Sequence, residues 1–407
     1  MESRDPQSLL DFARSRRPPM GEGGAAVVAD EAGAGLVVAL HGLKSALLMV
    51  GCVAPMIVVT GGTDVNVDIA VDGEKAAAMA RVLRWSGTAA VVSFSQAMAD
   101  AMHMLLDRTA AEGAAAADGR PPPPCHIIPQ GVTLPDARVS DAIRAEVALA
   151  LAPALHAGEE LAAVGQRKLL LLVAGIRPVK DVLYLADAVD AAWGAGERLR
   201  LVVVGGRLDE EYCEVVEARA RASPGAFVLL SATLSRSGCI EAMRQCAAVV
   251  NSSISEGMAG ALLEAMATGT AVLARDIEGN RALAAAAADA VAGGSGGALG
   301  ANLDAGGVRL YATAQGFVAQ AESLLLPPGS DAARTLGDAG AAASLAMADA
   351  ERSQWHAVLD TVFESRAAAE ANIEAGCPPR AKADAQRSAG NAGAGRLGGA
   401  GDGADGH

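Results

Sequence analysis

Short runs of apolar residues alternate with longer helical stretches along most of the chain. Runs such as Leu169–Val173 contain no polar residue, which indicates strands that are buried on both faces of a sheet. The alternation of such strands with helices is typical of βαβ units around a parallel sheet. The pattern therefore predicts an α/β protein.

The pattern divides into two series of strands and helices, separated by residues 135–165. In the first series we predict strands at 36–40, 56–60, 89–92 and 126–128 and helices at 74–84 and 96–107. In the second series we predict strands at 169–173, 199–204, 227–230, 248–250 and 271–273, with helices around 181–193, 209–222, 236–246, 258–267 and 279–289. Two such series indicate two doubly wound domains that face each other across a cleft.

Several segments are too rich in alanine, glycine or proline to pack as regular elements. We expect disorder over residues 1–24 and 373–407, and a loose connection through the segment 110–124, which ends in four prolines. Residues 284–307 are nearly all alanine and glycine, so we expect the chain there to leave a helix and form a loop.

The overall charge and the cysteine pattern narrow the class of protein. The 407 residues include 33 lysines and arginines against 47 aspartates and glutamates, a net charge of −14, which argues against a nucleic-acid-binding groove. No stretch has the roughly 18 strongly apolar residues that a transmembrane segment needs. Six cysteines without a C-x-x-C pair, and an N-terminus without the apolar run of a secretory signal, predict a reduced, cytoplasmic location.

Polar and glycine-rich residues follow the predicted strands, at the edge where ligands bind in parallel sheets. The most informative segment is 251–266, a strand end followed by a polar loop and the start of a helix. Gly257 and Gly260 leave backbone N–H groups accessible at the helix N-terminus, which favours an anion such as phosphate. Glu256 and Glu264 are placed to accept hydrogen bonds from sugar hydroxyls. The alternative interpretation is a first-turn acid at Glu256 and a solvated helix residue at Glu264.

A second polar loop, 175–181, follows the first strand of the same domain. Arg177 and Lys180 put two cations at the carboxyl edge of the sheet, as a diphosphate requires. The alternative interpretation is a loop at the start of a helix with surface cations. Gly205 and Gly206 also follow a strand, but without the G-x-G-x-x-G pattern of a dinucleotide site they predict only a turn.

The motif Glu256-x7-Glu264, with its Ser-x-x-Ser-Glu-Gly lead, resembles the nucleotide-sugar signature of retaining glycosyltransferase family 4. Further motifs, at 39–41, 61–66, 175–181 and 272–280, extend the resemblance from about Val37 to Leu283. The resemblance implies the GT-B fold, in which two Rossmann-like, doubly wound domains enclose a cleft.

The resemblance also implies roles for residues of the second domain. The implied donor-binding residues are Arg177, Lys180, Gly257, Met258, Gly260 and Glu264. Among them, Arg177 and Lys180 would hold the donor diphosphate, and Glu264 would bind the ribose hydroxyls. Backbone amides from Gly257 to Gly260 would complete the phosphate site. Glu256 would bind the transferred sugar as a catalytic residue.

In the first domain the resemblance places His41 near the transferred sugar, as a second catalytic residue. An alternative interpretation of His41 is a capping or partly buried histidine. Four loop residues are expected to line the cleft, namely Gly61, Gly62, Thr63 and Asp64. An Asx-turn explains Asp64 nearly as well.

The domain organisation follows from the two series of elements and the resemblance together. We expect an acceptor-side domain over 25–134, a nucleotide-sugar-binding domain over 135–350, and a helix over 351–372 that packs back onto the first domain. Compared with the family, the N-terminal domain is expected to be shortened by at least one βα unit. The strand that the family has after Leu283 is expected to be missing.

The implied activity is transfer of a sugar from a nucleotide-diphosphate sugar to an acceptor, with retention of the anomeric configuration. We expect no cofactor and no metal, since no cluster of metal ligands stands out in the sequence. The expected partners are the nucleotide-sugar donor and an acceptor whose identity, like the oligomeric state, the sequence leaves open. Two other hypotheses stay open: a noncatalytic nucleotide-sugar-binding or scaffold protein, and a nucleotide-sugar epimerase.

Overall fold

A computed structural model describes residues 33–62, 64–111, 121–134, 139–222, 225–230, 233–293, 303–326 and 331–374. The predicted disorder of residues 1–24 and of the tail after residue 374 concerns segments outside these ranges, and so does most of the proline-rich connection. Thr63 also lies outside the described residues. The predictions for these positions stay predictions.

The first sheet has four parallel strands in the described part of the chain, in the order β1-β2-β3-β4. They are β1 (Val37–Leu40), β2 (Met56–Val59), β3 (Thr88–Ser93) and β4 (Cys125–Ile127). The accompanying helices are α1 (Gly73–Arg84) and α2 (Gln96–Ala111), with short helical turns at Leu47–Met49 and Ile69–Val71 and π-helical turns at Gly42–Ala46 and Asp64–Asp68. Asp72 caps α1, because its side chain accepts from the backbone N–H groups of Glu74 and Lys75.

The second sheet has six parallel strands within the described ranges, in the order β10-β9-β8-β5-β6-β7. They are β5 (Leu169–Val173), β6 (Arg200–Val204), β7 (Phe227–Leu229), β8 (Ala248–Asn251), β9 (Ala271–Arg275) and β10 (Val308–Tyr311). The strand order reverses between β5 and β8, since β6 and β7 lie on one side of β5 and the later strands on the other. Ligands bind beyond the carboxyl ends of the strands at such a switch point.

Helices cover both faces of the second sheet. They are α3 (Asp141–Leu151), α4 (Leu161–Lys168), α5 (Ala186–Trp193), α6 (Glu210–Ala222), α7 (Arg236–Gln245), α8 (Gly260–Ala267), α9 (Glu278–Val291), α10 (Ala314–Leu325) and α11 (Ala332–Glu374), with 3-10 turns at Ala152–Ala154, Pro178–Lys180 and Leu303–Gly306. Alternate residues of β5 belong to two apolar clusters, with Leu169 and Leu171 in one and Leu170 and Leu172 in the other. This two-sided burial explains why β5 has no polar residue.

Helix α11 passes from one compact unit into another. Among the described residues, those up to His356 belong to the unit that contains both sheets, and those from Ala357 to Glu374 belong to a second unit. Within the first unit, Glu351 Oε2 accepts a hydrogen bond of 2.9 Å from the backbone N–H of Gly131. The packing of a complete helix over 351–372 onto the first domain stays a prediction.

The structure agrees with one expectation about the alanine-rich region and corrects another. The helix predicted around 279–289 is α9, which runs to Val291, because alanine is the strongest helix former. The strand that we expected to be missing is present as β10, and its end residues Val308 and Tyr311 are buried beside β9. Pairing with a neighbouring strand stabilises this short segment, and that pairing leaves no signature in the local sequence.

Candidate active site

The loops that follow β5 and β8 lie side by side at the carboxyl edge of the second sheet. Ser252 Oγ donates to the backbone oxygen of Lys180 at 2.9 Å, and the backbone N–H of Ile254 donates to the backbone oxygen of Val179 at 2.9 Å. Because β5 and β8 are neighbours at the switch point, these loops meet at the place where a doubly wound sheet binds its ligand.

Two cavities that share Lys180 and Glu256 open between these loops and the start of α8. The smaller has a volume of about 40 Å³ and extends to Gly260 in the first turn of α8. The larger has a volume of about 140 Å³ and is also lined by Gly62, Phe94, Arg177, Gly257 and Met258. Residues of both domains therefore enclose the space in which sequence reasoning placed the donor.

Glu256 is held at the centre of this site. Its Oε1 accepts hydrogen bonds from Lys180 Nζ at 2.5 Å, Ser253 Oγ at 2.7 Å and Asn251 Nδ2 at 3.2 Å. Helix α8 begins at Gly260, so Glu256 lies in the preceding loop and is not a first-turn acid. The carboxylate is only 11% exposed, and Lys180 stabilises its charge.

Asn280 supports this centre from below, and sequence reasoning did not single it out. Its side chain is fully buried, and Nδ2 donates at 2.9 Å both to Asn251 Oδ1 and to the backbone oxygen of Arg275. Tyr311 OH in turn donates to the backbone oxygen of Asn251 at 2.7 Å. These bonds fix the side chain that contacts Glu256. A polar residue two positions into a helix gives no local signal of such a role.

Arg177 lies at the wall of the larger cavity. Pro178 begins a 3-10 turn that ends at Lys180, so the two cations are held on one tight turn. Arg177 Nε is buried and has no hydrogen-bond partner among the described residues. A buried donor without a partner is costly, and an anionic ligand in the cavity would satisfy it.

The N-terminus of α8 faces the smaller cavity. Ala259 stands at the N-cap, and no side chain of the described residues caps this end of the helix. A Cβ atom on Gly260 would meet open space, so packing does not require glycine at this position. The first-turn N–H groups and the helix dipole thus favour an anion beside Lys180.

Glu264 lies one turn inside α8 and is ion-paired. Arg236 Nε donates to Glu264 Oε1 at 3.0 Å, and the arginine side chain is 62% exposed. Neither cavity is lined by Glu264. The Glu264 side chain is 19% exposed, and both the ribose-binding role and the alternative of a solvated helix residue stay predictions.

His41 and Asp64 form a pair at the carboxyl edge of the first sheet. His41 Nδ1 contacts Asp64 Oδ1, and Asp64 Oδ2 accepts from the backbone N–H groups of Gly42 at 2.8 Å and Gly61 at 3.0 Å. Asp64 is fully buried, and His41 has a positive φ of 75°. Burial lowers the pKa of His41, against the attraction of Asp64. Burial raises the pKa of Asp64, against the two backbone N–H groups.

Asp68 joins this pair to make a group of three side chains that could ligate a metal ion. One ligand atom from each of His41, Asp64 and Asp68 lies within 4.8 Å of the others. Lys75 Nζ lies 2.7 Å from Asp68 Oδ1, so an ammonium group already balances the outer carboxylate. The contacts within the group explain its geometry without an ion, and the expected metal independence stays a prediction.

The two domains touch at the cleft. Gly62 lies so close to Gly257 that a Cβ atom on Gly62 would come within 2.1 Å of the Gly257 nitrogen. Asn66 Nδ2 donates to the backbone oxygen of Glu256 at 3.0 Å, and the backbone N–H of Gln130 donates to Met258 Sδ at 3.2 Å. Glycine at both 62 and 257 is required by this contact. Gly62, one of the predicted cleft residues, lines the larger cavity.

Comparison with known proteins shows that the chain is similar to glycosyltransferases. Residues 167–302 match a protein family described as "Glycosyl transferases group 1". This segment contains each candidate donor-binding residue of the second domain. The chain is also 32% identical over 251 residues to Glycosyltransferase 1 domain-containing protein 1 of Xenopus tropicalis. That match covers 61% of this chain and 64% of the relative, a little less than two thirds of its length.

Solved structures share the fold at low sequence identity. HepE of Anabaena in complex with UDP-glucose superposes with a TM-score of 0.57 at 14% identity, covering 83% of this chain and 81% of HepE. A UDP-forming α,α-trehalose-phosphate synthase of Burkholderia vietnamiensis gives 0.55 at 16% identity, covering 90% and 80%. Sucrose-phosphate synthase of Thermosynechococcus elongatus gives 0.56 at 16% identity, covering 83% and 76%. The predicted α/β fold with two doubly wound GT-B domains is confirmed.

Proposed function

We propose that this protein is a glycosyltransferase that transfers a sugar from a nucleotide-diphosphate sugar to an acceptor, with retention of the anomeric configuration. The observation that carries the proposal is the buried Nε of Arg177, which has no partner among the described residues and belongs to a side chain on the wall of the larger cavity. Lys180 lines both cavities, and the start of α8, which no described side chain caps, lines the smaller one. Two cations and helix N–H groups around two cavities that share Lys180 are suited to a pyrophosphate.

Donor binding would redistribute hydrogen bonds that the residues of the site make with one another. The pyrophosphate would take hydrogen bonds from Arg177 and Lys180, and Lys180 would exchange part of its ion pair with Glu256 for the phosphate. Glu256 would then accept from a hydroxyl of the sugar while Ser253 and Asn251 keep its carboxylate in place. The site is therefore preorganised around the carboxylate, and the ligand supplies the anion.

The chemistry is cleavage of the bond between the anomeric carbon and the phosphate oxygen. Negative charge develops on the leaving nucleoside diphosphate, and Arg177, Lys180 and the α8 amides would stabilise it in the transition state. The acceptor hydroxyl forms the new bond on the same face, and its proton passes to the leaving phosphate oxygen. The resemblance to retaining glycosyltransferase family 4 implies this front-face route, and among the described residues we assign no carboxylate as a covalent nucleophile.

The ligands of similar solved structures guide the choice of donors to test. HepE was solved with UDP-glucose, and the trehalose-phosphate synthase forms UDP, which makes UDP and UDP-sugars the first ligands to test.

Within the described ranges, no helix combines the length and apolar character that crossing a bilayer requires. In line with the sequence pattern, we propose a cytoplasmic location.

The proposal is tested by a thermal-shift screen of UDP, GDP, ADP and their sugars, followed by product analysis with the donors that bind. We expect a nucleoside diphosphate to raise the unfolding temperature and its sugar to be consumed only when acceptors are present. Release of an epimeric sugar nucleotide would instead favour an epimerase. Binding without turnover across an acceptor panel would favour a noncatalytic nucleotide-sugar-binding protein.

A further inference from the structure

Arg275, the last residue of β9, joins the two loops of the site through one guanidinium group. Its Nη1 donates to Asp181 Oδ2 at 2.8 Å and to the backbone oxygen of Ser252 at 3.0 Å. The guanidinium carbon also lies 3.7 Å from the centre of the Tyr184 ring, a cation–π contact. One side chain thus contacts the loop after β5, the loop after β8, and the turn that leads into α5.

These contacts lie directly beside the candidate phosphate-binding residues. Asp181 follows Lys180 and ends the 3-10 turn in the left-handed conformation, with φ of 43°. A non-glycine residue keeps this conformation only where its surroundings hold it. The ion pair with Arg275 supplies that restraint, so the turn that carries Arg177 and Lys180 is tied to the loop that carries Glu256.

We propose that Arg275 is a positioning residue for the donor pyrophosphate, acting through Asp181 on the Arg177–Lys180 turn; this inference rests on the proposed function. Arg275 lines neither cavity, and its Nη1 is occupied by Asp181 and Ser252. It therefore acts on the ligand through the turn. A lysine could not replace it, because only the planar guanidinium can reach two acceptors and stack on an aromatic ring at the same time.

The test compares Arg275→Lys with Arg309→Lys. Arg309, on the adjacent strand β10, pairs with Asp304 and has a side chain 25% exposed, against 21% for Arg275. By calorimetry with UDP and uridine, we expect Arg275→Lys to weaken UDP binding about tenfold and uridine binding less than twofold. Asp181→Asn should weaken UDP binding similarly, and the double variant should be no worse than Arg275→Lys alone, since Arg275→Lys already breaks the contact that Asp181→Asn removes.

A second measurement separates this inference from the proposed function. Hydrogen exchange of the backbone amides of Lys180 and Ile254 should accelerate in Arg275→Lys and stay unchanged in Arg309→Lys. If the wild-type protein binds no nucleoside diphosphate, the proposed function fails and hydrogen exchange alone decides whether Arg275 orders the turn. Equal loss of UDP and uridine affinity, an equal effect of Arg309→Lys, or unchanged exchange would overturn the inference.

Discussion

Two lysine–glutamate ion pairs lie at opposite edges of the second sheet. The contact is the same in both pairs, but its role differs. Lys168 Nζ lies 2.8 Å from Glu159 Oε1 next to the first residue of β5, at the amino edge. Lys180 Nζ lies 2.5 Å from Glu256 Oε1 at the carboxyl edge. The neighbours of each pair decide what it does.

At the amino edge the charged side chains pair with other groups of the protein. Arg200, the first residue of β6, is 1% exposed and donates to the backbone oxygens of Ala154 at 2.5 Å and Gly196 at 2.6 Å. Its Nη2 lies 2.6 Å from Glu159 Oε2. Burial alone would raise the pKa of Glu159, but hydrogen bonds from Lys168, the His156 backbone and Arg200 lower it to about 2. This cluster fastens the chain before β5 to the sheet.

At the carboxyl edge the charged side chains are not fully paired within the described part of the chain, and they face open space. Arg177 Nε has no partner among the described residues, and Lys180 and Glu256 face two cavities. The comparison teaches that an ion pair fastens the protein where its cations face only other protein groups, and that it marks a ligand site where its cations face open cavities.

The largest effect is expected from Arg200→Ala at the amino edge. Removing this arginine leaves the Glu159 carboxylate partly uncompensated, which should lower the free energy of unfolding by about 3–5 kcal/mol. Urea unfolding measures it. Calorimetry on the folded variant should show unchanged nucleoside diphosphate affinity, and a selective loss of affinity would break the division between the two ends.

In contrast to Arg200→Ala, Lys180→Ala is expected to change the affinity for the ligand. It should weaken nucleoside diphosphate binding by about 2–5 kcal/mol, because a desolvated phosphate loses its cation. Lys168→Ala is the matched control, a lysine taken from the other lysine–glutamate pair. It should change stability and leave affinity intact, and equal affinities for the two variants would reject the assignment of Lys180.

Glu264→Ala should weaken nucleoside binding by about 1.5–3 kcal/mol, the range for hydrogen bonds to a charged group. The loss should be confined to ligands that carry a ribose, as measured by calorimetry with UDP and inorganic pyrophosphate. If pyrophosphate binding falls as much as UDP binding, Glu264 acts through the helix and not on the ribose.

The smallest effect is expected from Glu159→Gln and depends on pH. A neutral side chain should cost about 1–2 kcal/mol of stability at pH 7, the difference between charged and neutral hydrogen bonds. The folded pKa of Glu159 lies below the usual 4.5, at about 2, so its contribution is full above pH 4.5 and is lost as the pH falls towards 2. Urea unfolding of both proteins between pH 7 and 2 should show their difference shrinking, and a constant difference would contradict the pairing.

The sequence predicts the parts of this comparison that depend on local pattern. Uninterrupted apolar runs such as β5 were located to the residue, since burial on both faces dictates their composition. From the sequence alone, the rule that ligands bind at the carboxyl edge of a parallel sheet predicts that Arg177, Lys180 and Glu256 lie in one site. It could do so because the rule depends on strand order and needs no side-chain detail.

The remaining parts depend on contacts between distant segments. Asn280 and Arg275 shape the site through hydrogen bonds to residues 23 to 94 positions away. Asn66 reaches Glu256 across 190 positions. Which residues become such partners depends on which strands and loops are neighbours in the folded protein. The spacing of these residues along the sequence is not distinctive. Strand β10 was missed for the same reason, because its stability comes from β9.

The most direct test of the central claim is calorimetric titration of nucleoside diphosphates against the matching monophosphates, with the wild-type protein and Arg177→Ala. If the carboxyl edge of the second sheet grips a pyrophosphate, at least one of UDP, GDP and ADP should bind the wild type at least tenfold more tightly than its monophosphate. That preference should disappear in Arg177→Ala. Equal affinity of diphosphate and monophosphate for the wild type, or a preference that survives the loss of Arg177, would contradict the account.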